Sequence, residues 1–353
     1  MTILFRSLSF AIIAISALCL SSCATDTKTA SSTEATTTTA AKMPIDVLPF
    51  LDEWKILLGD GTTSKDLANF QKEDYFYVDS DGASDWVVYK TPNSGITSRT
   101  SHNTRTELGQ KKSWIPEEGG NLTGTLKVMH VSTSGDARVA ASYSVVVGQI
   151  HSDEGHENEP LKIFYKKFPG HTKGSVFWNY EVNPLGDDNS GRWDFSTAVW
   201  GHDMSVVGDA PTSYPEEPQD GIELGEEFSY EINVYKGTMY LTLSSEGHET
   251  KTFTKSLIES EYLTKDDLPQ QVRELFGQIN RDATEKPKAY AGEIQYFKQG
   301  AYNQTNGKDP KDNMVWSTGA ESYDSNIPTQ YAKGLYTEVW FKSGTVGPGK
   351  APN

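Results

Sequence analysis

The sequence predicts an all-β protein, a sandwich of antiparallel sheets with few helices. Three observations predict it. First, most of the chain beyond residue 43 breaks into short runs rich in β-branched and aromatic residues. Second, Gly, Pro, Asn or Asp bounds each run, as strand ends require. Third, only two stretches show helical spacing, so the runs connect by turns rather than by crossover helices, which favours antiparallel pairing. A jelly roll or another curved two-sheet fold satisfies this pattern, and periodicity alone does not separate them.

The strand runs are Ala141 to Gln149, Leu161 to Lys167, Ser175 to Val182, Phe228 to Tyr235, Thr238 to Ser244 and Gly292 to Gln299. Lys236-Gly237, between two of them, fits a hairpin turn. Asp46 to Leu58 is predicted helical, because Val47, Phe50, Leu51 and Trp54 fall on one side. Leu257 to Ile279 is predicted as helix interrupted near Pro269, with Val272, Leu275, Phe276 and Ile279 as its apolar stripe.

The N-terminal region reads as an export signal. Arg6 is the single charge before Cys23, and Leu8 to Leu20 is a largely apolar core. That core is shorter than the ~20 apolar residues a membrane-spanning helix needs and suits a signal peptide over residues 1–22. Leu20-Ser21-Ser22-Cys23 resembles a bacterial lipobox, which implies lipidation of Cys23. Residues 23–42 are nearly all Thr, Ser and Ala and read as a flexible tether. The catalytic or binding unit is then expected over residues 43–353. An exported protein held by lipid on a bacterial membrane, most naturally the outer membrane, is the expectation.

The two cysteines are Cys19 and Cys23. The region after the tether therefore has no disulfide, no thiolate nucleophile and no cysteine metal ligand. The formal charge is −16, and loss of Arg6 takes it to −17. Such acidity argues against a nucleic-acid partner, but it leaves room for a locally basic cleft.

Side chains two apart on a strand share a face. Three segments carry polar side chains at that spacing: Arg105 and Glu107; Gln149 and His151; and Tyr296, Lys298, Gly300, Tyr302 and Gln304. Gly300 removes bulk in the middle of the third stripe, which can admit a ligand. Taken singly, each stripe fits the wet face of an antiparallel sheet. His151 alone reads as a hydrogen-bonded structural histidine, and Arg105 with Glu107 as a surface ion pair.

Together and in this order, Arg105-Thr106-Glu107-Leu108-Gly109, Gln149-Ile150-His151 and Tyr296 to Gln304 resemble the motifs of polysaccharide lyase family 7, the alginate lyases. Those motifs are Arg-(Ser/Thr)-Glu-(Leu/Val)-Arg, Gln-(Ile/Val)-His and Tyr-Phe-Lys-Ala-Gly-x-Tyr-x-Gln. Asp79 to Gly82 followed by Trp86 also looks like the stretch preceding the first motif. The resemblance spans roughly Asp46 to Lys342. It implies a β-jelly roll of two curved antiparallel sheets, concanavalin-like, with the groove on one sheet. Two positions depart from the pattern. Gly109 stands where the family has a substrate-binding arginine. Gln299 replaces an alanine and should face away from the groove.

The resemblance implies lysis of 4-linked mannuronate and guluronate chains by β-elimination, in which the C5 proton is removed and O4 leaves. Arg105, Gln149 and His151 would neutralise the carboxylate beside C5, the arginine as a planar charged fork. A phenol is a weak base at its reference pKa of about 10, and neighbouring cations favour its ionised form. Tyr302 would serve as base, acid or both, with His151 as the alternative base for one epimer. Lys298, Glu107, Gln304 and Tyr296 would complete the substrate-binding set, Glu107 also orienting Arg105. Ile150 leans toward guluronate-containing blocks. No metal or organic cofactor is required by this scheme, and a monomer is expected. Asp79-Ser80-Asp81-Gly82 hints at a calcium loop, but Lys90 stands where such a loop needs glutamate, so an ordinary turn is expected. Gly186 to Gly191 reads as a loop. His156, His171, His202 and His248 form no ligand spacing. A lyase for another polyuronate such as glucuronan, and a non-catalytic surface glycan-binding lipoprotein, are the alternative readings. Endo or exo action stays open.

Overall fold

The computed structural model describes residues 42–97, 101, 103–153, 158–184, 194–267 and 284–352. Cys23, the signal and tether segments, His156, the Gly186 to Gly191 loop and the apolar stripe Val272 to Ile279 lie outside the described residues.

Alternation of apolar and polar residues builds two antiparallel sheets. The strands in chain order are β1 (Trp54–Leu57), β2 (Thr63–Ser64), β3 (Phe76–Ser80), β4 (Asp85–Pro92), β5 (Arg105–Gln110), β6 (Gly120–His130), β7 (Ser144–Ser152), β8 (Leu161–Lys166), β9 (Lys173–Glu181), β10 (Asp194–Trp200), β11 (Ile222–Glu223), β12 (Glu227–Tyr235), β13 (Thr238–Ser245), β14 (Lys251–Ser256), β15 (Gln295–Asn303) and β16 (Tyr336–Gly347). Among the described residues one sheet runs β10-β9-β8-β7-β15-β5-β1-β2, with β11 paired to β9, and the other runs β14-β13-β12-β6-β16-β4-β3. Strands distant in sequence are neighbours in both sheets. That topology brings β5, β15 and β7 together at the centre of the first sheet. The mostly-β, two-sheet architecture expected from the sequence is present.

The predicted Asp46 to Leu58 helix is corrected. Pro44–Val47 forms a single turn, α1, and Pro49–Glu53 a separate 3-10 turn. Pro49 lacks the N–H that continuing α1 would need, so the helix restarts at once. Trp54 then enters β1, where Trp54 and Ile56 alternate inward with Lys55 exposed between them. The other expected helix is not formed in its described part: Leu257 to Thr264 is irregular, and only Lys265–Asp267 makes a 3-10 turn. A short helix unforeseen in the sequence, α2, covers Ile327–Ala332, and the Asn326 side chain caps it by accepting from the Thr329 amide. The Lys236-Gly237 turn has positive φ at both residues, 51° and 81°, as a tight hairpin turn requires. Two strand boundaries shift C-terminally. β7 begins only at Ser144, after Tyr143 at φ 61°, and β15 only at Gln295. Both strands consequently run on through the polar stripes.

The core lies between the sheets. Leu108, Ile150 and Phe297 from the first sheet are fully buried, as are Leu126, Ile232 and Phe341 from the second. One tyrosine spans this space. Tyr230, on β12, sits so close that a Cβ at Gly124 or at Gly148 would lie 2.9 Å from its ring. Its hydroxyl accepts a 2.6 Å bond from Gln299 Nε2. Gln299 thus faces the core, away from the opposite face of the sheet, as strand alternation predicts.

Asp79 and Ser80 end β3, and Asp81 to Ser84 turn the chain into β4. Asp81 Oδ1 accepts from the Ala83 and Ser84 amides, and Oδ2 accepts from Trp86 Nε1 at 2.8 Å and Lys127 Nζ at 2.7 Å. The Lys127 bond, reinforced by the amides, holds its carboxyl well below the usual range.

Gly300 has a different purpose from the one its place in the stripe suggests. Its φ is +146°, and a Cβ there would stand 2.6 Å from the Thr106 carbonyl oxygen and 2.9 Å from Glu107 Cα. The residue lets β15 press against the backbone of β5, at the point where its register against β7 shifts between Gln299 and Tyr302. Gly300→Ala is expected to lower stability by at least about 1 kcal/mol through strain at this φ and the backbone clash, read as a lower denaturation midpoint. An unchanged midpoint would contradict the packing account.

Candidate active site

The central strands place their polar stripes on the face opposite the core. There a cavity of about 910 Å³ is lined by Arg105, Glu107, His151, Tyr296, Lys298 and Tyr302, among others. Residues of β1 and β2 form one wall, and the segment from Gln304 to Ser317 contributes another. These are not the residues of an ordinary wet face. Arg105 is 7% exposed, Glu107 4%, Gln149 0% and His151 7%.

Glu107 is the point where the three strands meet chemically. Its Oε2 accepts from Arg105 Nη1 at 3.2 Å and from Lys298 Nζ at 3.3 Å, and its Oε1 accepts from Gln149 Nε2. Burial opposes the charge on Glu107, but Lys298, Arg105 and the Gln149 amide together hold its pKa below the ordinary carboxylate value. Burial likewise acts against the Lys298 ammonium, and Arg105 adds to this, so its pKa is lowered despite Glu107. Arg105 keeps its charge: burial disfavours it, but Tyr302 and Glu107 raise its pKa. Each oxygen of Glu107 thereby accepts at least one bond from within the protein. The geometry suits it to orienting the others, and it also lines the cavity, where the sequence reading placed it among the substrate contacts.

Tyr302 pairs with Arg105 in the β5–β15 register. The guanidinium carbon lies 3.8 Å from the Tyr302 ring centroid, a close cation–π stack. Ser101 ties the two together, accepting from Arg105 Nη2 at 2.9 Å and lying 3.2 Å from the Tyr302 hydroxyl. Arg105 Nε has no hydrogen-bond partner among the described residues.

His151 has a defined tautomer. Its Nδ1 is 2.6 Å from the Ser152 carbonyl oxygen. A carbonyl only accepts, so Nδ1 carries the hydrogen. Nε2 then presents its lone pair, 3.5 Å from Glu159 Oε1. Burial, helped by the Lys298 charge, pushes the His151 pKa well below the ordinary 6.5. The imidazole is therefore neutral at neutral pH and able to accept a proton.

The structure brings the predicted residues together. Lys298 pairs with Gln149, and Tyr296 with His151, in the β15–β7 register. The Tyr296 and His151 rings lie 5.1 Å apart. Gln149 lies beneath the cavity floor, and its Oε1 has no partner among the described residues. Gln304, at the end of the stripe, is 4% exposed and donates from Nε2 to the Tyr302 carbonyl at 3.3 Å. Among the lining residues that escaped the sequence reading are Ser101, Lys55 and Glu159. Ser101 and Glu159 sit outside the strands, where alternation offers no signal. Lys55 was hidden by the helical reading of its segment. His202 and His248 are bonded elsewhere, to the Glu216 carbonyl and to Glu226. Among the described residues no three His, Asp or Glu side chains gather as a metal site.

A two-cation, one-carboxylate floor with a phenol and a neutral imidazole above it suits a substrate that carries a carboxylate and must lose a proton. Comparison with known proteins agrees. A family model described as alginate lyase matches residues 48–347. The chain is 72% identical to a structure described as the exolytic PL7 alginate lyase from Zobellia galactanivorans, with a TM-score of 0.87 over 88% of this chain and 99% of that one. It is 28% identical to an alginate lyase of Klebsiella pneumoniae over 69% of this chain and 76% of the relative. The structure of the alginate lyase from Klebsiella pneumoniae matches in fold, with a TM-score of 0.60 at 23% identity over 87% of this chain and 99% of that one. Motifs, fold and these likenesses converge: the chain belongs to the alginate lyases of polysaccharide lyase family 7.

Proposed function

We propose that this alginate lyase removes short units from the end of the polymer, with the Glu107-centred group neutralising the uronate carboxylate and Tyr302 and His151 moving the protons. The observation that carries the reading is the joining of Arg105, Lys298 and Gln149 to one buried carboxylate. Across the described cavity lining six Lys or Arg side chains (Lys55, Lys65, Arg105, Lys162, Lys298 and Lys308) stand against three acids (Glu107, Glu159 and Asp312), so a uronate carboxylate is drawn to it. Neutralising that carboxylate makes the adjacent C5 proton removable. Preorganised donors of this kind each contribute roughly 2.7–4 kcal/mol to such a transition state.

The C5–H electron pair then forms the C4–C5 double bond, and the C4–O4 bond breaks. A base must take the C5 proton and an acid must supply one to O4. His151 Nε2, held as an acceptor by the Ser152 carbonyl, takes the proton from the epimer that presents C5 to it. Tyr302, stacked on Arg105, serves the other epimer and protonates O4. Exolytic action is supported by the likeness to the Zobellia galactanivorans lyase, 72% identical and described as exolytic. A lipid anchor at Cys23, with the lyase carried on the outer membrane of the cell, is part of the same proposal and rests on the Leu20-Ser21-Ser22-Cys23 sequence.

The test is the ultraviolet absorbance of the unsaturated uronate end, with alginate as substrate. Tyr302→Phe is expected to cut the rate by at least about 10²-fold, the ordinary worth of a positioned proton-transfer group; near-normal turnover would remove Tyr302 from the chemistry. Products should be short from the first minutes, with viscosity falling slowly. Long fragments with rapid loss of viscosity would overturn the exolytic reading.

The pH dependence has a definite sign. His151 has a folded-state pKa below 6.5, so it stays neutral as pH falls through 6.5 and protonates only lower down. On the epimer served by His151, the acid limb of kcat/KM is therefore expected below pH 6.5. A limb at or above that value would contradict the assignment. For the anchor, the full chain expressed in a bacterium should partition into detergent and the Cys23→Ser variant should not. Equal partitioning would refute lipidation at Cys23.

A further inference from the structure

We infer that Lys55 supplies, from the neighbouring strand, the substrate-binding cation that Gly109 cannot. This rests on the lyase reading above and adds a subsite residue to it. In the β1–β5 register Lys55 is the direct partner of Gly109, and on the far side of β5 Gly109 pairs with Lys298. Lys298 in turn pairs with Gln149. Lys55, Gly109, Lys298 and Gln149 thus form one row across the face that carries the cavity. Cross-strand partners project to the same side of a sheet, so Lys55 points where a side chain at 109 would point.

The space is consistent with the exchange. A Cβ built on Gly109 would lie 3.3 Å from Lys55 Cε and 3.7 Å from its Cγ. The lysine stem therefore lies over the glycine and fills the room that a larger residue would need. Its ammonium stands 5.7 Å from the Tyr296 ring centroid, and Lys55 lines the cavity. Among the described residues Lys55 has no ion pair, unlike Lys298, which is committed to Glu107, and Lys162, the β8 partner of Gln149 on the same row, which is committed to Glu181. A carboxylate-bearing sugar resting on Tyr296 would meet this cation one step along the groove from the floor at Glu107.

The experiment compares initial rates on alginate, with the full chain, for wild type, Lys55→Ala, Lys55→Arg and the double variant Lys55→Ala with Gly109→Arg. Lys55→Ala should raise KM roughly three- to five-fold, the upper end of what loss of one exposed charged contact costs, while kcat stays within about two-fold of wild type. Lys55→Arg should keep KM near wild type. The double variant should recover most of the lost affinity, because without the lysine stem the position accepts a side chain. KM unchanged in Lys55→Ala, or affinity not recovered by either arginine, would overturn the inference. Absence of unsaturated product from the wild type would instead refute the lyase reading itself, so the two failures are distinguishable.

Discussion

A single buried carboxylate holds the functional side chains in place. Glu107 gives up hydration, and so do Arg105 and Lys298 beside it. Such a group is a poor source of stability, since desolvation offsets most of the Coulomb gain. Its value lies in geometry. A guanidinium, an ammonium and an amide, each from a different strand, must point at the same two oxygens. Removing the anion would leave two buried cations facing each other without a counter-charge. The Tyr302 ring depends on the same constraint at one remove, because it stacks on the guanidinium that Glu107 orients.

Sheet register makes this possible. Lys298 faces Gly109 on one side and Gln149 on the other, while Tyr302 faces Arg105. Slipping any of these strands by one residue would turn the polar stripe into the core. The back of the sheet secures the register. Gly300 admits a backbone approach that a side chain would block, and Gln299 fastens its strand to Tyr230 of the opposite sheet. The glutamine that departs from the family pattern therefore has a structural purpose on the core side and leaves the groove face untouched.

Much of this was legible in the sequence because strand alternation is local. Arg105 with Glu107, Gln149 with His151, and Tyr296 through Gln304 each declare a shared face by spacing alone. What spacing does not encode is which strands are neighbours: β5 meets β15 across nearly two hundred intervening residues, and the ordered motifs were the signal for that. Glu107 as a hub was out of reach for the same reason, since it takes three strands to make it. Lys55 was missed through a specific ambiguity. Val47, Phe50, Leu51 and Trp54 have helical spacing, yet Pro49 splits the segment into two short turns and a strand. Ser101 and Glu159 act from irregular backbone, where no periodicity marks the direction of a side chain.

The most direct test of the account is the rate of unsaturated-uronate formation from alginate by Glu107→Gln, with circular dichroism confirming that the variant is folded. Glutamine keeps the shape and removes the charge that gathers Arg105, Lys298 and Gln149. The account predicts a loss of roughly 10²-fold or more, comparable with removing a preorganised transition-state donor, although each oxygen of Glu107 is already bonded within the protein. A folded Glu107→Gln enzyme with a rate within about three-fold of wild type, well short of what such a donor contributes, would show that the site organises itself without its central carboxylate.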